Sequence, residues 1–235
     1  MPREVLITSS REEVDLSGWA TIVVDVIRAT TTVVTAVAQG RRCLPAGDVA
    51  EALVLASQLE APLLAGELGG SVPPGFDLDN SPAAVAERQD FERPLVLVSS
   101  SGTRLLRRPT SSDPLHIACL RNYSAQADYA MKHYERVALL AACSRGEFRE
   151  EDQLCCAWIA AHLLDAGYMP QHDTESVVAR WRDAPVSAVL SSNSASFLER
   201  TGRQQDLDFV LGHVDDVHNV FRLQRGEVIA SAGQD

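Results

Sequence analysis

Polar residues able to handle a phosphate or a metal gather at five places in this chain, each just beyond a short apolar run. Asp25, Arg28, Thr30, Thr31 and Thr32 end the segment TIVVDVIRATTT (21–32), and Glu67, Asp77, Asp79, Asn80 and Ser81 lie within GELGGSVPPGFDLDNSP (66–82). SSSGT (99–103) follows LVLV, Arg121-Asn122 follows LHIAC, and CSRGEFREED (143–152) follows VALLAA. Carboxylates are hard oxygen ligands suited to magnesium, arginine grips oxyanions through two parallel hydrogen bonds, and hydroxyls with a glycine at a strand-to-helix turn make an anion nest. Together these groups are what a magnesium-assisted reaction on a phosphate ester requires. Each place also has a plainer reading. Asp25 and Arg28 could be an ion pair beside a threonine cap, Ser81 an N-cap ahead of Pro82, and Glu150, Glu151 and Asp152 a favourable acidic first turn. Recurrence at successive strand ends is what points to a site, because ligands of open α/β sheets bind beyond the carboxyl ends of strands.

The elements that must position these residues follow from hydrophobic period. Strands are expected at Glu4 to Thr8, Thr21 to Val26, Arg42 to Pro45, Pro62 to Ala65, Pro94 to Ser99, Leu115 to Cys119 and Val137 to Cys143. Helices are expected near Ala29 to Gln39, Val49 to Leu59, Ala83 to Arg88, Gly102 to Arg107 and Asn122 to Tyr134, with a long one from Glu150 to Ala166. Shorter helical pieces follow at Thr174 to Arg182, Val186 to Leu190 and Ser194 to Thr201, then a hairpin around Arg225-Gly226. Alternating strands and helices predict an α/β fold, a layered α/β/α arrangement with a mostly parallel sheet and a helical C-terminal region capping it. Residues 1–235 read as one α/β unit, with a two-lobed variant marked by the change of texture near 144–150.

Composition narrows the function. The 32 acidic and 21 basic side chains give a net charge of −11, which repels a polyanion, so no nucleic-acid partner is expected. Lys132 is the only lysine among those cations. Apolar runs such as Val137 to Cys143 fall far short of the roughly 18 residues a membrane span needs, so no membrane partner is expected either. Arg3, Glu4, Arg11, Glu12 and Glu13 stand where a signal peptide would need an apolar core, and the expectation is a cytoplasmic protein. Cys43, Cys119, Cys143, Cys155 and Cys156 contain no CxxC spacing, which fits neither a disulfide framework nor a structural zinc site. A homo-oligomer is left open.

Several phosphatase solutions do not match. Asp25 is followed by Val26 and Ile27, not by the second aspartate of an aspartyl nucleophile motif. Cys143 and Arg149 stand six apart, but the intervening Glu147 is unsuited to cradling a phosphate, and there is no Arg-His-Gly. P-loop and GxGxxG fingerprints are absent.

DVIRATTT (25–32), GFDLDNSP (75–82), SGT (101–103), Arg121-Asn122, EDQLC (151–155) and VDDVHNVF (214–221) together resemble the 2-phosphosulfolactate phosphatase family, in order along nearly the whole chain. The resemblance implies a magnesium-dependent enzyme of coenzyme M biosynthesis, hydrolysing a small anionic phosphorylated substrate to sulfolactate and phosphate. It implies Asp25, Glu67 and Asp152 as magnesium ligands, Glu151 as base or as support behind them, and Cys143 as a further catalytic candidate. Arg28 and the nest Ser101, Gly102 and Thr103 would hold phosphate, with Thr30, Thr31, Asn80, Ser81 and Asn122 around the substrate. This chain departs from the family pattern in three places. Leu68 replaces an arginine, Ser101 an asparagine, and Ser144-Arg145 an Ala-Gly after Cys143, where Arg145 could restore the lost positive charge. Rival readings are a phosphatase for a different phosphorylated hydroxy acid, a catalytically silent small-anion binder of the same fold, and an interaction protein whose strand-end carboxylates only cap helices.

Overall fold

The computed structural model describes residues 2–10, 12–107, 115–144 and 147–232. In chain order its strands are β1 (Glu4–Ser9), β2 (Ala20–Val24), β3 (Cys43–Ala46), β4 (Leu63–Gly66), β5 (Leu95–Val98), β6 (Leu115–Ala118), β7 (Arg136–Ala141), the short β8 (Cys143–Ser144) and β9 (Glu147–Phe148), β10 (Met169–Gln171), β11 (Asn219–Gln224) and β12 (Glu227–Ala232). The α-helices are α1 (Ala29–Ala38), α2 (Val49–Ala56), α3 (Pro82–Ala86), α4 (Gly102–Leu106), α5 (Tyr123–His133), α6 (Glu150–Asp165), α7 (Thr174–Trp181), α8 (Asn193–Arg200) and α9 (Gln204–Gly212), with a 3₁₀ turn at Val186–Ser191. The expected α/β class is observed. Strand β10, the β8–β9 pair and helix α9 were not expected; the first two are too short to show a period.

Among the described residues, ten strands form one sheet in the order β10-β1-β7-β2-β6-β11-β12-β3-β5-β4. The block β10 to β6 is parallel throughout, as is the block β3, β5, β4. Between them sits the β11–β12 hairpin, antiparallel to both neighbours. Its tight turn places Arg225 and Gly226 both at positive φ, the conformation two-residue hairpin turns need. The end of the chain therefore joins the two halves of the sheet, where a purely capping role was expected of the C-terminal region.

Three antiparallel steps leave the two parallel blocks running in opposite senses. A flat sheet would then put their carboxyl ends on opposite edges, but here the sheet curls around its inner helices. Val23 of β2, Leu140 of β7, Ile117 of β6, Phe221 of β11 and Leu95 of β5 share one buried cluster with Val33 and Val34 of α1 and Leu105 and Leu106 of α4. Their strand neighbours Ile22, Val24 and Leu139 point the other way, into a second cluster with Leu154, Ala157 and Ile159 of α6. Val96 and Val98 likewise face Ala52 of α2. This alternation with period two is why strands of pure valine and leucine work, since both faces are covered. Each such buried side chain contributes about 1.5–3 kcal/mol. Among the described residues, no helix is long and apolar enough to cross a membrane.

Candidate active site

Curling brings the carboxyl ends of β2, β4, β5 and β7 around one cavity of 480 Å³, which α8 closes from the C-terminal region. Asp25 leaves the end of β2 into this space, and its Oδ1 accepts a hydrogen bond from the Ala29 amide at 3.2 Å. The threonines that follow are used locally. Thr30 donates to the Asp25 carbonyl at 2.8 Å, Thr31 to that of Val26 at 2.7 Å, and Thr32 to that of Arg28 at 3.1 Å. Helix α1 is buried nearly all round, so its hydroxyls must find partners on its own backbone. Thr30 and Thr31, expected beside the substrate, are held there instead and do not line the cavity.

Two more carboxylates meet Asp25 from the start of α6. Asp152 is buried and its Oδ1 accepts from the Val26 amide at 2.7 Å, tying α6 to the end of β2. Glu151 is 1% exposed, and neither of its oxygens makes a well-formed hydrogen bond, although the Ser192 and Ser194 hydroxyls are close enough to favour its charged form. Burial raises Asp25 to about 7, reinforced by the charges of Glu67 and Glu151 against the opposing Ala29 amide and Arg28. Burial also raises Asp152 well above the usual carboxylate range, with Glu151 and Asp25 adding to it. At neutral pH this group calls for protons or a cation.

Glu67 lines the cavity but is already engaged. It accepts from the Ser100 amide at 2.7 Å, the Ser100 hydroxyl at 3.0 Å and the Gly70 amide at 2.9 Å, binding the GELGG and SSSGT loops together. Within the nest, Ser99, Ser100 and Ser101 line the cavity, and Thr103, which does not, exchanges hydrogen bonds with Ser99. Gly102 serves by having no side chain: an added Cβ would stand 2.5 Å from both Ala29 Cβ and Asp25 Oδ2. Asn80 lines the cavity, 2% exposed, with its Oδ1 unpartnered. Ser81 caps α3 by accepting from the Ala84 amide at 3.1 Å and donates to Asp206 at 2.5 Å, behind the cavity wall. Asn122 is fully buried, accepting from the Cys119 amide and donating to the Ile117 carbonyl, so it shapes a turn and does not reach the cavity. Cys143 lines the cavity at the end of a β-ladder in which it pairs with Phe148. Arg145 lies outside the described residues.

Arg28 pairs with carboxylates other than Asp25. Its Nη1 and Nη2 meet Asp79 at 3.0 Å each, and Nη1 also meets Asp206 at 2.7 Å. Burial opposes its charge, but these two partners outweigh it and hold the guanidinium above its ordinary pKa. Nε makes no hydrogen bond among the described residues, so this edge of a rigidly held arginine remains for a ligand in the cavity it lines.

A known family matches this chain over residues 5–226, and its description is 2-phosphosulpholactate phosphatase. The chain belongs to this family. It is similar to the 2-phosphosulfolactate phosphatase of Methanothermobacter thermautotrophicus, 35% identical over 81% of this chain and 80% of that protein. It is also similar to proteins named probable 2-phosphosulfolactate phosphatase in Symbiobacterium thermophilum, 32% identical over 83% and 87%, and in Deinococcus radiodurans, 33% identical over 80% and 81%.

As a 2-phosphosulpholactate phosphatase family member, the chain can be tested for fit to magnesium. Among the described residues no three His, Cys, Asp or Glu side chains form a ready cage. Magnesium asks for less, since it keeps several waters and takes one or two carboxylates with the substrate's phosphate. Asp25 and Asp152 offer hard oxygens, and the unpartnered oxygens of buried Glu151 lie behind them, so the donor set fits.

Sequence reasoning missed the residues delivered by α8 and α9. Asn193, Ser194, Phe197 and Arg200 line the cavity with Glu147 and Arg149 from the approach to α6. Asp206 anchors both Arg28 and Ser81, and Arg203 bridges Asp79 at 2.5 Å and the Gly70 carbonyl at 3.0 Å. Where the family's arginine is replaced, Leu68 packs on an apolar cluster with Phe76, and Arg203 brings a guanidinium to the same loop from elsewhere in the chain. No spacing in the sequence announces these contacts.

Proposed function

We propose that this chain is a magnesium-dependent phosphatase that hydrolyses the phosphate monoester of a small sulfonated hydroxy acid, 2-phosphosulfolactate, to sulfolactate and phosphate. The observation that carries this reading is the meeting of two buried carboxylates, Asp25 and Asp152, with arginines in one cavity at the strand ends. Membership of the family and the names of its relatives support the substrate.

Asp25 and Asp152 hold the magnesium ion, which when bound neutralises phosphate charge and polarises the phosphorus–oxygen bonds. Arg28, fixed by Asp79 and Asp206, turns its free Nε edge to the phosphate and needs no reorganisation to do so. Ser101, on the short turn opened by Gly102, and Asn80 offer further donors around it. Glu151, buried and raised in pKa, does not line the cavity; its charge acts on Asp25 and Asp152 from behind them and favours a cation there. Glu67 positions the two glycine-bearing loops and thereby the turn at Ser101.

The test is phosphate release from 2-phosphosulfolactate and a panel of phosphorylated hydroxy acids, with magnesium and with chelator. Release that stops with chelator and returns with magnesium is the expected outcome. Release from another ester alone would reassign the substrate, and no release from any ester by folded protein would favour the silent anion binder.

A further inference from the structure

The proposed substrate carries more than one anionic group, and Arg28 accounts for the phosphate alone. Arg149, which immediately precedes α6, lines the same cavity from a different element. Its side chain is 11% exposed, and its Nη1 donates to Glu147 Oε2 at 2.6 Å. Glu147 Oε2 also accepts from Asn193 Nδ2 at 3.1 Å, so through Glu147 the arginine is tied to β9 and to α8. Its Nε is buried with no hydrogen-bond partner, and among the described residues Glu147 is the carboxylate within ion-pair reach of it.

The edge left over is the one this chain uses elsewhere to grip carboxylates. Arg42 meets Glu227 through Nε at 2.9 Å and Nη2 at 2.8 Å, and Arg121 meets Asp216 through Nε at 2.9 Å and Nη2 at 2.7 Å. A buried donor without a partner is costly, and an oxyanion accepting from both nitrogens of a fixed fork is its best remedy. We propose that Arg149, held by Glu147, binds the second acidic group of the substrate, a carboxylate or sulfonate, through its Nε–Nη2 edge, and so sets specificity for multiply anionic phosphate esters. This inference rests on the phosphatase reading above.

The experiment compares wild type, Arg149→Gln and Arg149→Lys with magnesium on three esters: 2-phosphosulfolactate, 2-phospholactate, and isopropyl phosphate, which has neither extra acid. Calorimetric binding of sulfolactate and of inorganic phosphate is measured in parallel. Arg149→Gln is expected to raise KM for 2-phosphosulfolactate roughly 10- to 100-fold with kcat little changed, and to leave isopropyl phosphate unaffected. A matching loss on 2-phospholactate assigns the edge to the carboxylate, and no loss there assigns it to the sulfonate. Arg149→Lys, which keeps charge but lacks the fork, should lose an intermediate amount, and it carries the test if the glutamine variant does not fold. Equal losses on isopropyl phosphate, or a lysine variant indistinguishable from wild type, would overturn the assignment. If wild type hydrolyses no ester, the phosphatase reading falls, and binding then decides for Arg149. Weaker sulfolactate binding with phosphate binding intact sustains it, whereas equal affinities, or no sulfolactate binding by wild type, refute it.

Discussion

Asp25→Asn should make the metal-free protein more stable. Unfolded, this carboxyl titrates at its ordinary value of 3.8, whereas folded it titrates at about 7 because it is buried beside Glu67 and Glu151. Between those values the folded state keeps a proton that the unfolded state has lost, so stability falls as pH rises through this window, and the loss is complete above the folded value. At about 1.4 kcal/mol per pKa unit the displacement amounts to on the order of 4 kcal/mol. An asparagine preserves the acceptor for the Ala29 amide at 3.2 Å while removing the charge. In a chain of this size 1 kcal/mol moves the melting temperature by roughly 2–4 °C, so Asp25→Asn should melt roughly 5–15 °C above wild type at pH 8 with chelator. The gap should shrink as pH falls from 7 towards 4, where folded wild-type Asp25 holds its proton and no longer buries a charge. Magnesium should raise the melting temperature of wild type at pH 8 and leave the variant nearly unmoved. Differential scanning calorimetry across pH, with and without magnesium, reads all three. A variant no more stable than wild type at pH 8 would refute the burial argument, and would fit a carboxylate that merely caps a helix, whose removal costs about 1 kcal/mol.

Gly102→Ala should lose about 1–3 kcal/mol in urea unfolding and most of its activity, because its Cβ would meet Ala29 and the Asp25 carboxylate at 2.5 Å. Asp206→Ala removes a partner from buried Arg28 and from Ser81, and should cost about 3–5 kcal/mol by the same assay. A loss under 1 kcal/mol would mean that Asp79 alone satisfies the arginine.

Much of the fold was legible because burial on both faces leaves a plain mark. LVLV at 95–98 and VALLAA at 137–142 could hardly be anything but interior strands, and both lie inside the sheet. Loops at the ends of such strands were singled out by residue type, and Asp25, Arg28, Glu67, Asn80, Ser101, Cys143 and Asp152 line one cavity. Thr30, Thr31, Ser81 and Asn122 misled because hydroxyls and amides serve backbone caps as readily as ligands, and type and spacing look alike for both.

The sequence by itself determined the α/β class and placed at the strand ends a set of carboxylates, arginines and hydroxyls of the kind that a phosphate and a hard cation would need. Those properties are local, set by apolar period and by side-chain chemistry. Tertiary structure alone decided that the C-terminal hairpin joins two oppositely directed parallel blocks, and that the curled sheet makes Gly102 touch Asp25. It alone decided that Arg28 is held by Asp79 and Asp206 and that Arg149 keeps a free edge. Residues far apart in the chain meet only where packing brings their elements together, and no local pattern encodes which charge will find which partner.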